Sequence, residues 1–403
     1  LTDGFKASNI NFTNTEFANS TANGTVTGTD GKDDFLITGN QSVKVKTTTF
    51  NNIENVNAAD GDDDTVAGSN TWGLLTDGFK ASNINFTNTE FANSDSAGTL
   101  KGTTSDDKFE LAGVQSVISN GTTFNQVTLV NAQGTNNILL GMDGNDDFYL
   151  SSVNSGAENN KITSQEIYFN NITDIDGGTG ENRVHGSVGI DSFQLTTKSQ
   201  ELRSNKMTFN NIQTVIAAEG NDNLIGIEDQ SWQVSNMDNT IVAQDINFTE
   251  IETVSNLGSG SLFGSNQADQ FVLVSSNGSA TNNAVMINQL LFSNIGRIDA
   301  GANGLGEDIV TSNTAQNWQL ASGSDFIANR IVLSNIERAT AESSVVTGSI
   351  LEDVFETTTI TNTVIANDVE FENVTLLDGN VPGLVLTYSP DQDAQQNNIN
   401  NTS

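Results

Sequence analysis

The sequence predicts an all-β fold: a single parallel β-solenoid (β-helix), right-handed, with about ten coils of about 38 residues. Three observations predict it. Leu1–Ser20 recurs unchanged at Leu75–Ser94, so an offset of 74 residues is built into the chain. An aromatic residue opening a short apolar strand occurs at Phe35, Trp72, Phe109, Phe148, Phe193, Trp232, Phe271, Trp318 and Phe355, which halves that offset. Gly, Asn, Thr and Ser dominate between short β-branched runs, and no apolar period near 3.6 appears. Repeats at such a period are the mark of a one-dimensional array.

Each repeat carries three landmarks. The first is an apolar residue, any residue, then Gly, as in Val26-Thr27-Gly28, Val66-Ala67-Gly68 and Leu139-Leu140-Gly141. The second is the aromatic, usually with an apolar residue two on, as in Phe193-Gln194-Leu195. Alternation at period two predicts a strand with one buried face. The third is longer: Thr48-Thr49-Phe50-Asn51-Asn52-Ile53-Glu54-Asn55-Val56 has counterparts centred on Phe12, Phe86, Phe124, Phe169, Phe209, Phe248, Phe292, Leu333 and Phe371.

Two residues after each third-landmark centre stands Asn14, Asn52, Asn88, Gln126, Asn171, Asn211, Glu250, Asn294, Asn335 or Asn373. Asn accepts left-handed geometry at tight corners, and stacked amides can bond from coil to coil. Residues at i, i+2 and i+4 share a face. This column is therefore expected to point inward at a corner as an amide ladder. Of 21 Phe, 15 occupy the second or third landmark, as do all three Trp, so the aromatics are expected to form buried vertical ladders. Two residues before the second-landmark aromatic, Asp precedes Phe (Asp33, Asp107, Asp146, Asp191, Asp269, Asp353). Before Trp stands Asn70, Gln230 or Gln316. The bulkier ring is expected to rearrange the turn so that an anionic cap no longer fits.

The array is expected to span residues 1–388, followed by a polar tail or linker over 389–403. The longer repeats carry extra residues at Ser155–Lys161 and Ser275–Asn283, expected as surface excursions. The chain opens at Leu1 in the middle of a repeat and reads as a stretch of a longer array without a signal peptide. No Cys is present, which excludes disulfide staples and fits bacterial export. No apolar run reaches the length of a membrane span, so no membrane insertion is expected. The formal charge of −35 opposes binding to nucleic acid or to an anionic membrane, and favours solubility and divalent cations.

The run Phe50-Asn51-Asn52-Ile53-Glu54-Asn55-Val56, followed by Asp60-Gly61-Asp62-Asp63-Asp64-Thr65-Val66-Ala67-Gly68, resembles the repeat regions of very large secreted bacterial adhesins. These include filamentous-haemagglutinin-like proteins and proteins with RTX-type glycine/aspartate repeats. The likeness covers nearly the whole chain as a degenerate pattern. It implies an elongated β-solenoid, secreted or held at the bacterial cell surface, acting in adhesion, biofilm matrix or cell–cell contact. The partner would be a glycan or protein receptor, with homo-oligomers formed end to end or side by side.

Calcium is the cofactor to consider. It takes six to eight hard oxygens, and Gly-rich turns gather carboxylates. Gly31-Lys32-Asp33-Asp34-Phe35, Gly144-Asn145-Asp146-Asp147-Phe148, Gly189-Ile190-Asp191-Ser192-Phe193 and Gly220-Asn221-Asp222-Asn223-Leu224 match the second half of an RTX nonapeptide. Gly177–Val184 matches it throughout except that Asn182 stands at the Asp position. The candidate metal ligands are therefore Asp33, Asp146, Asp191 and Asp222. The competing reading is that these carboxylates only cap turns, since the matches are isolated rather than tandem. Catalysis has less support. Glycan-cleaving β-helices need focused carboxylates with convergent Arg or Lys, whereas Arg183, Arg203, Arg297 and Arg338 are scattered. The only histidine, His185, lies at an outward position. No catalytic residue is assigned; a polysaccharide-active enzyme and a self-assembling filament or surface-layer subunit stand as alternatives.

Overall fold

The computed structural model describes residues 5–401 apart from 152–159, 236–239, 275–282, 302–305, 351–352, 380–384 and 388–399. The described residues contain strands and turns and no helix. The chain divides into two compact units, Leu1–Ser187 with Glu201–Gln213, and Val188–Gln200 with Thr214–Ser403. Each unit is a β-solenoid of stacked parallel strands.

Coils are shorter than repeats. Strands paired in parallel lie roughly 31 residues apart, not 38. The reason is visible in the first unit, where two ladders of paired strands face each other. In one ladder Phe35 stands beside Val66, Val66 beside Ala92, and Ala92 beside Phe124. In the other, Trp72, Leu100, Val130 and Phe169 follow one another in the same way. All eight side chains are buried. The ladders meet through their rings: the centroid of Phe79, from the second ladder, lies 5.3 Å from that of Phe124 in the first.

Followed along the chain, one repeat visits these ladders in a fixed order. Phe35, Val43 and Phe50 lie on the first ladder, Val56 on the second, Val66 on the first again, and Trp72 on the second. That is an odd number of crossings, so the next repeat starts on the opposite ladder. Two repeats restore the starting point, which is why the unchanged block recurs at 74 residues and not at half that distance. The second unit follows the same scheme, with Phe271–Val310–Ala339–Phe371 on one ladder and Trp232–Leu262–Ile298–Leu333 on the other. Rings from its two ladders also meet, Phe326 and Phe371 at 5.3 Å.

Two expectations are corrected by this geometry. The landmark rings are buried except exposed Phe12 and half-buried Phe50, but along the parallel pairings they do not stack on themselves: each large ring there has small or aliphatic neighbours, so facing layers interdigitate at native density. Nor is the fold purely parallel. Between its second and third landmarks each repeat folds into an antiparallel meander, as in Leu111–Val117–Phe124. The hairpin loops hold two residues with positive φ: Ser82-Asn83, Gln165-Glu166, Asn205-Lys206, Gln244-Asp245, Asn288-Gln289, Asn329-Arg330 and Asn367-Asp368. Mirror-image two-residue turns match the twist of antiparallel strands, and Asn-Gly is their usual signature. Only Asn120-Gly121 shows that dipeptide here, so the hairpins were hard to see in the sequence.

The Asn column is left-handed, as expected: all ten residues have φ between 52° and 62°. It does not point inward. A left-handed residue breaks the period-two alternation, turns its own side chain out and brings the next residue in. Asn52 and Asn211 are exposed, whereas Ile53 and Ile212 are buried. The amides still tie coils together, but through backbone and other side-chain oxygens of the preceding coil, such as Asn57 Oδ1 for Asn88, and not through one another. Asn171 Nδ2 donates to Gly134 O at 2.7 Å, and Asn211 Nδ2 to Asp176 Oδ1 at 2.6 Å.

Of the tail expected over 389–403, only Asn400–Asn401 falls among the described residues, paired in parallel with Leu376–Leu377. The expected excursions lie largely outside the described residues. No helix long and apolar enough to cross a membrane occurs among those described.

Candidate functional site

The carboxylates singled out by the glycine/aspartate pattern sit in one recurring construction. After the first landmark the chain turns sharply, and the Asp two residues before Phe folds back to cap that turn. Asp33 Oδ2 accepts from Thr29 N at 2.5 Å, Asp107 Oδ2 from Thr103 N at 2.8 Å and Asp146 Oδ2 from Met142 N at 2.7 Å. In the second unit Asp269 Oδ2 accepts from Ser265 N at 2.6 Å, and Asp353 Oδ2 from Ser349 N at 2.7 Å. The landmark glycine makes room for this cap. A Cβ on Gly28 would lie 2.7 Å from Asp33 Oδ2 and 2.5 Å from Ala58 O.

The capping Asp is itself held by the next coil. Asp33 N donates to Asp64 Oδ1 at 2.6 Å, and Asp64 N donates to Glu90 Oε2 at 2.8 Å. The same relay runs Asp146 to Asn182 to Gln213, at 2.9 and 2.7 Å. In the second unit it runs Asp191 to Asp222 to Glu252 at 2.7 and 2.6 Å, and Asp269 to Asp308 to Glu337 at 2.7 and 2.6 Å. Three successive coils are thus laced by side chains that accept backbone N–H groups, beside the ladder bonds.

Asn and Asp are interchangeable in the middle of the relay, but they differ electrostatically. Asn182 sends its Nδ2 to Asn211 O at 3.0 Å, and Asn137 sends its own to Gly134 O and Asn171 O at 2.9 Å. Asp has no proton to send. Asp64 Oδ2 and Asp222 Oδ2 are buried without a hydrogen-bond partner. Burial pushes the Asp222 carboxyl up to about 6, with the nearby charges of Asp191, Glu252 and Glu250 adding to it. Asp308 rises to about 6 for the same first cause, with Glu337 and Asp269 beside it. Asp64 and Asp146 are also raised, chiefly by burial.

These contacts leave little for calcium. Of the expected ligands, Asp33 and Asp146 use an oxygen to cap a turn and Asp222 uses one on Asp191 N, while Asp191 meets the row through its backbone. The row offers single uncommitted buried oxygens, at Asp64, Asp146 and Asp222, against the six to eight that calcium takes. Among the described residues no group of three or more His, Asp or Glu is arranged to hold a metal ion.

Where Trp replaces Phe, the turn is rebuilt as expected. The indole Nε1 of Trp72 donates to Ser94 Oγ at 2.9 Å, that of Trp232 to Asn256 Oδ1 at 2.9 Å and that of Trp318 to Ser344 Oγ at 3.0 Å, all buried. Asn70 now accepts from Asp95 N and Ser96 N of the next coil, and Gln316 reaches back to Ser312 Oγ. A neutral side chain serves each of these rebuilt turns.

A second construction lies on the outer face of the first unit, and no motif announced it. Tyr149, Thr163 and Tyr168 are cross-strand neighbours in the meander Asp147–Leu150, Lys161–Ser164 and Ile167–Asn170. His185 is the parallel partner of Tyr149. Tyr149 and Tyr168 are 46% and 45% exposed. The His185 ring stacks on Tyr149 with centroids 4.3 Å apart and planes at 16°, and its Nε2 lies 2.9 Å from Asp147 Oδ1. His185 does face outward, as its position implied. The signal for the tyrosines was their alternation with the buried Phe148, Leu150, Ile167 and Phe169.

No protein-family model and no curated protein matches the chain.

Proposed function

We propose that this chain is a structural and adhesive segment of a bacterial cell-surface or extracellular fibre protein. The observation that carries the structural part is the relay just described. Buried carboxylates and amides that could have formed a reactive centre are instead consumed in binding one coil to the next, as in Asp33–Asp64–Glu90. Such lacing resists shear between coils, because sliding one strand past its neighbour breaks ladder and cap together. Asp64 and Asp222 are fully buried, out of a substrate's reach, so we assign them no catalytic part.

The adhesive part is supported by the Tyr149–Tyr168–His185 row. A flat strand face with half-exposed rings and flanking charges, among them Arg183 beside Asp147, suits stacking against the apolar faces of sugar rings, with polar groups at the rim. An acidic chain without Cys is compatible with life outside a bacterial cell.

The test is adhesion of beads coated with the chain to glycan-bearing surfaces, compared with a Tyr149→Ser, Tyr168→Ser double variant. We expect the wild type to adhere and the variant to lose most of it. Equal adhesion by both would remove the tyrosine row from the reading. Wild-type beads that adhere to no glycan surface would leave the structural part alone.

A further inference from the structure

Tyr149 has one face covered and one open. The His185 ring stacks on it from the strand paired in parallel, with centroids 4.3 Å apart, so the opposite face turns toward the antiparallel neighbour Lys161–Ser164. There Thr163, small and half-buried, stands between Tyr149 and Tyr168. The two exposed rings therefore border a shallow trough with Thr163 as its floor. Its walls are two strand spacings apart, about 9–10 Å.

Arg183 lies beside this row, on the same strand and face as His185 and two residues before it. Its cross-strand partner is Asp147, and an ion pair between the two would be the ordinary outcome. Asp147 turns instead to His185, whose Nε2 lies 2.9 Å from Oδ1. Arg183 is exposed and makes no ion pair among the described residues. By contrast Arg297 meets Asp299 and Asp325, and Arg338 meets Glu307 and Glu372. In a chain with 50 acidic against 15 basic residues, a guanidinium left without a carboxylate is available to one from outside.

We propose that the trough takes an acidic sugar, a hexuronate unit of a polysaccharide, and that Arg183 selects its carboxylate. The proposal rests on the adhesive reading and narrows it from glycans in general to acidic ones. A carboxylate carried directly on a pyranose ring lies close to the plane of that ring. The apolar ring face can therefore stack on Tyr149 while the carboxylate reaches sideways to Arg183, a diagonal step of roughly 8 Å between Cα positions. The planar fork of Arg donates two parallel N–H bonds to a carboxylate, a geometry that Lys does not match. Of the nearby acids, Asp147 is engaged by His185 and Glu181 is exposed to solvent. The formal charge of −35 does not oppose this contact at physiological salt. The Debye length there is about 8 Å, so distant acids are screened and a direct ion pair is not.

Affinity of the whole chain for polygalacturonate and for its methyl ester, at an ionic strength of about 0.15 M, tests it. The two polymers share their rings and differ only in the carboxylate. We expect the acid form to bind about tenfold more tightly, the increment of one charge-assisted contact. Arg183→Gln should bring the two forms to one affinity, and Arg183→Lys should recover only part of the difference. Arg203→Gln removes an equal charge from another exposed position and should keep the difference. Circular dichroism verifies that each variant is folded. Equal affinity of the wild type for both forms, or a preference that survives Arg183→Gln, would overturn the proposal. If such binding is still lost in the Tyr149→Ser, Tyr168→Ser variant, the adhesive reading survives that failure. Binding to neither polymer also overturns the proposal, while the bead assay on other glycan surfaces decides adhesion separately.

Discussion

The backbone N–H of Asp191 donates to Oδ1 of Asp222 at 2.7 Å, in the arrangement that Asp146 and Asn182 make in the other unit at 2.9 Å. One position thus takes either an acid or its amide. The acid leaves Oδ2 buried and unpartnered, whereas the amide sends a proton to a backbone carbonyl.

Stability should therefore depend on pH with a definite sign. The Asp222 and Asp308 carboxyls rise from 3.8 to about 6 on folding, so their neutral forms are favoured in the folded state. Their contribution is complete below about pH 4 and is lost as pH rises through about 6. Asp222→Asn and Asp308→Asn should each raise stability at pH 7.5 by about 1–3 kcal/mol and flatten the decline between pH 4 and 7. Denaturant midpoints across that range decide the matter, with exposed Asp62→Asn as the control for net charge. The same variants probe calcium: were Asp222 a ligand, Asp222→Asn would lower the melting temperature in calcium instead of raising it.

Asn171 occupies a left-handed corner with φ 62° and donates to Gly134 O. Asn171→Ala should cost about 2–3 kcal/mol, through the left-handed backbone of a Cβ-bearing residue and the lost hydrogen bond. Asn171→Gly keeps the backbone and should recover about half of that. Chemical denaturation of the two variants side by side gives the comparison; equal losses would show that the backbone term is negligible.

Removing the acceptor of a buried indole should be felt at the ring. Ser94→Ala leaves Trp72 Nε1 without its partner and should cost about 1–3 kcal/mol. Asn256→Leu should do the same to Trp232 in the second unit. Hydrogen exchange of the indole N–H, followed by nuclear magnetic resonance, should accelerate at the affected Trp alone.

Phe209 is fully buried and stands beside Ile175 in its ladder. Phe209→Ala should cost about 3–5 kcal/mol. Because repeats contact mainly their neighbours, the loss should appear as local opening around Asp174–Asn210 and not as collapse of the array. Amide exchange mapped along the chain reads this directly; uniform loss of protection would contradict it.

The solenoid was legible in the sequence because its physics is local and repeated. Alternation at period two specified which residues of each strand are buried, and Phe124, Phe169 and Leu195 are buried accordingly. A residue type that tolerates positive φ marked each corner, from Asn14 to Asn373. The correlation of Asp with Phe and of Asn or Gln with Trp reported a real change of turn. What a strand's own sequence does not encode is its neighbour across the ladder. The stacking of Phe35 on Val66, and not on another Phe, follows from an odd number of crossings per repeat, a property of the closed path. Likewise the inward or outward sense of Asn52 depends on a single left-handed residue that shifts the alternation by one. The partners of Asp64, Asp222 and Asp308 come from the coils on either side, at separations from 26 residues (Asp64–Glu90) to 39 (Asp269–Asp308). Sequence thus determined the strands, the corners and the buried faces, because these depend on neighbours along the chain. Tertiary structure alone decided the register between coils, because that depends on which path lets two facing ladders close around one core.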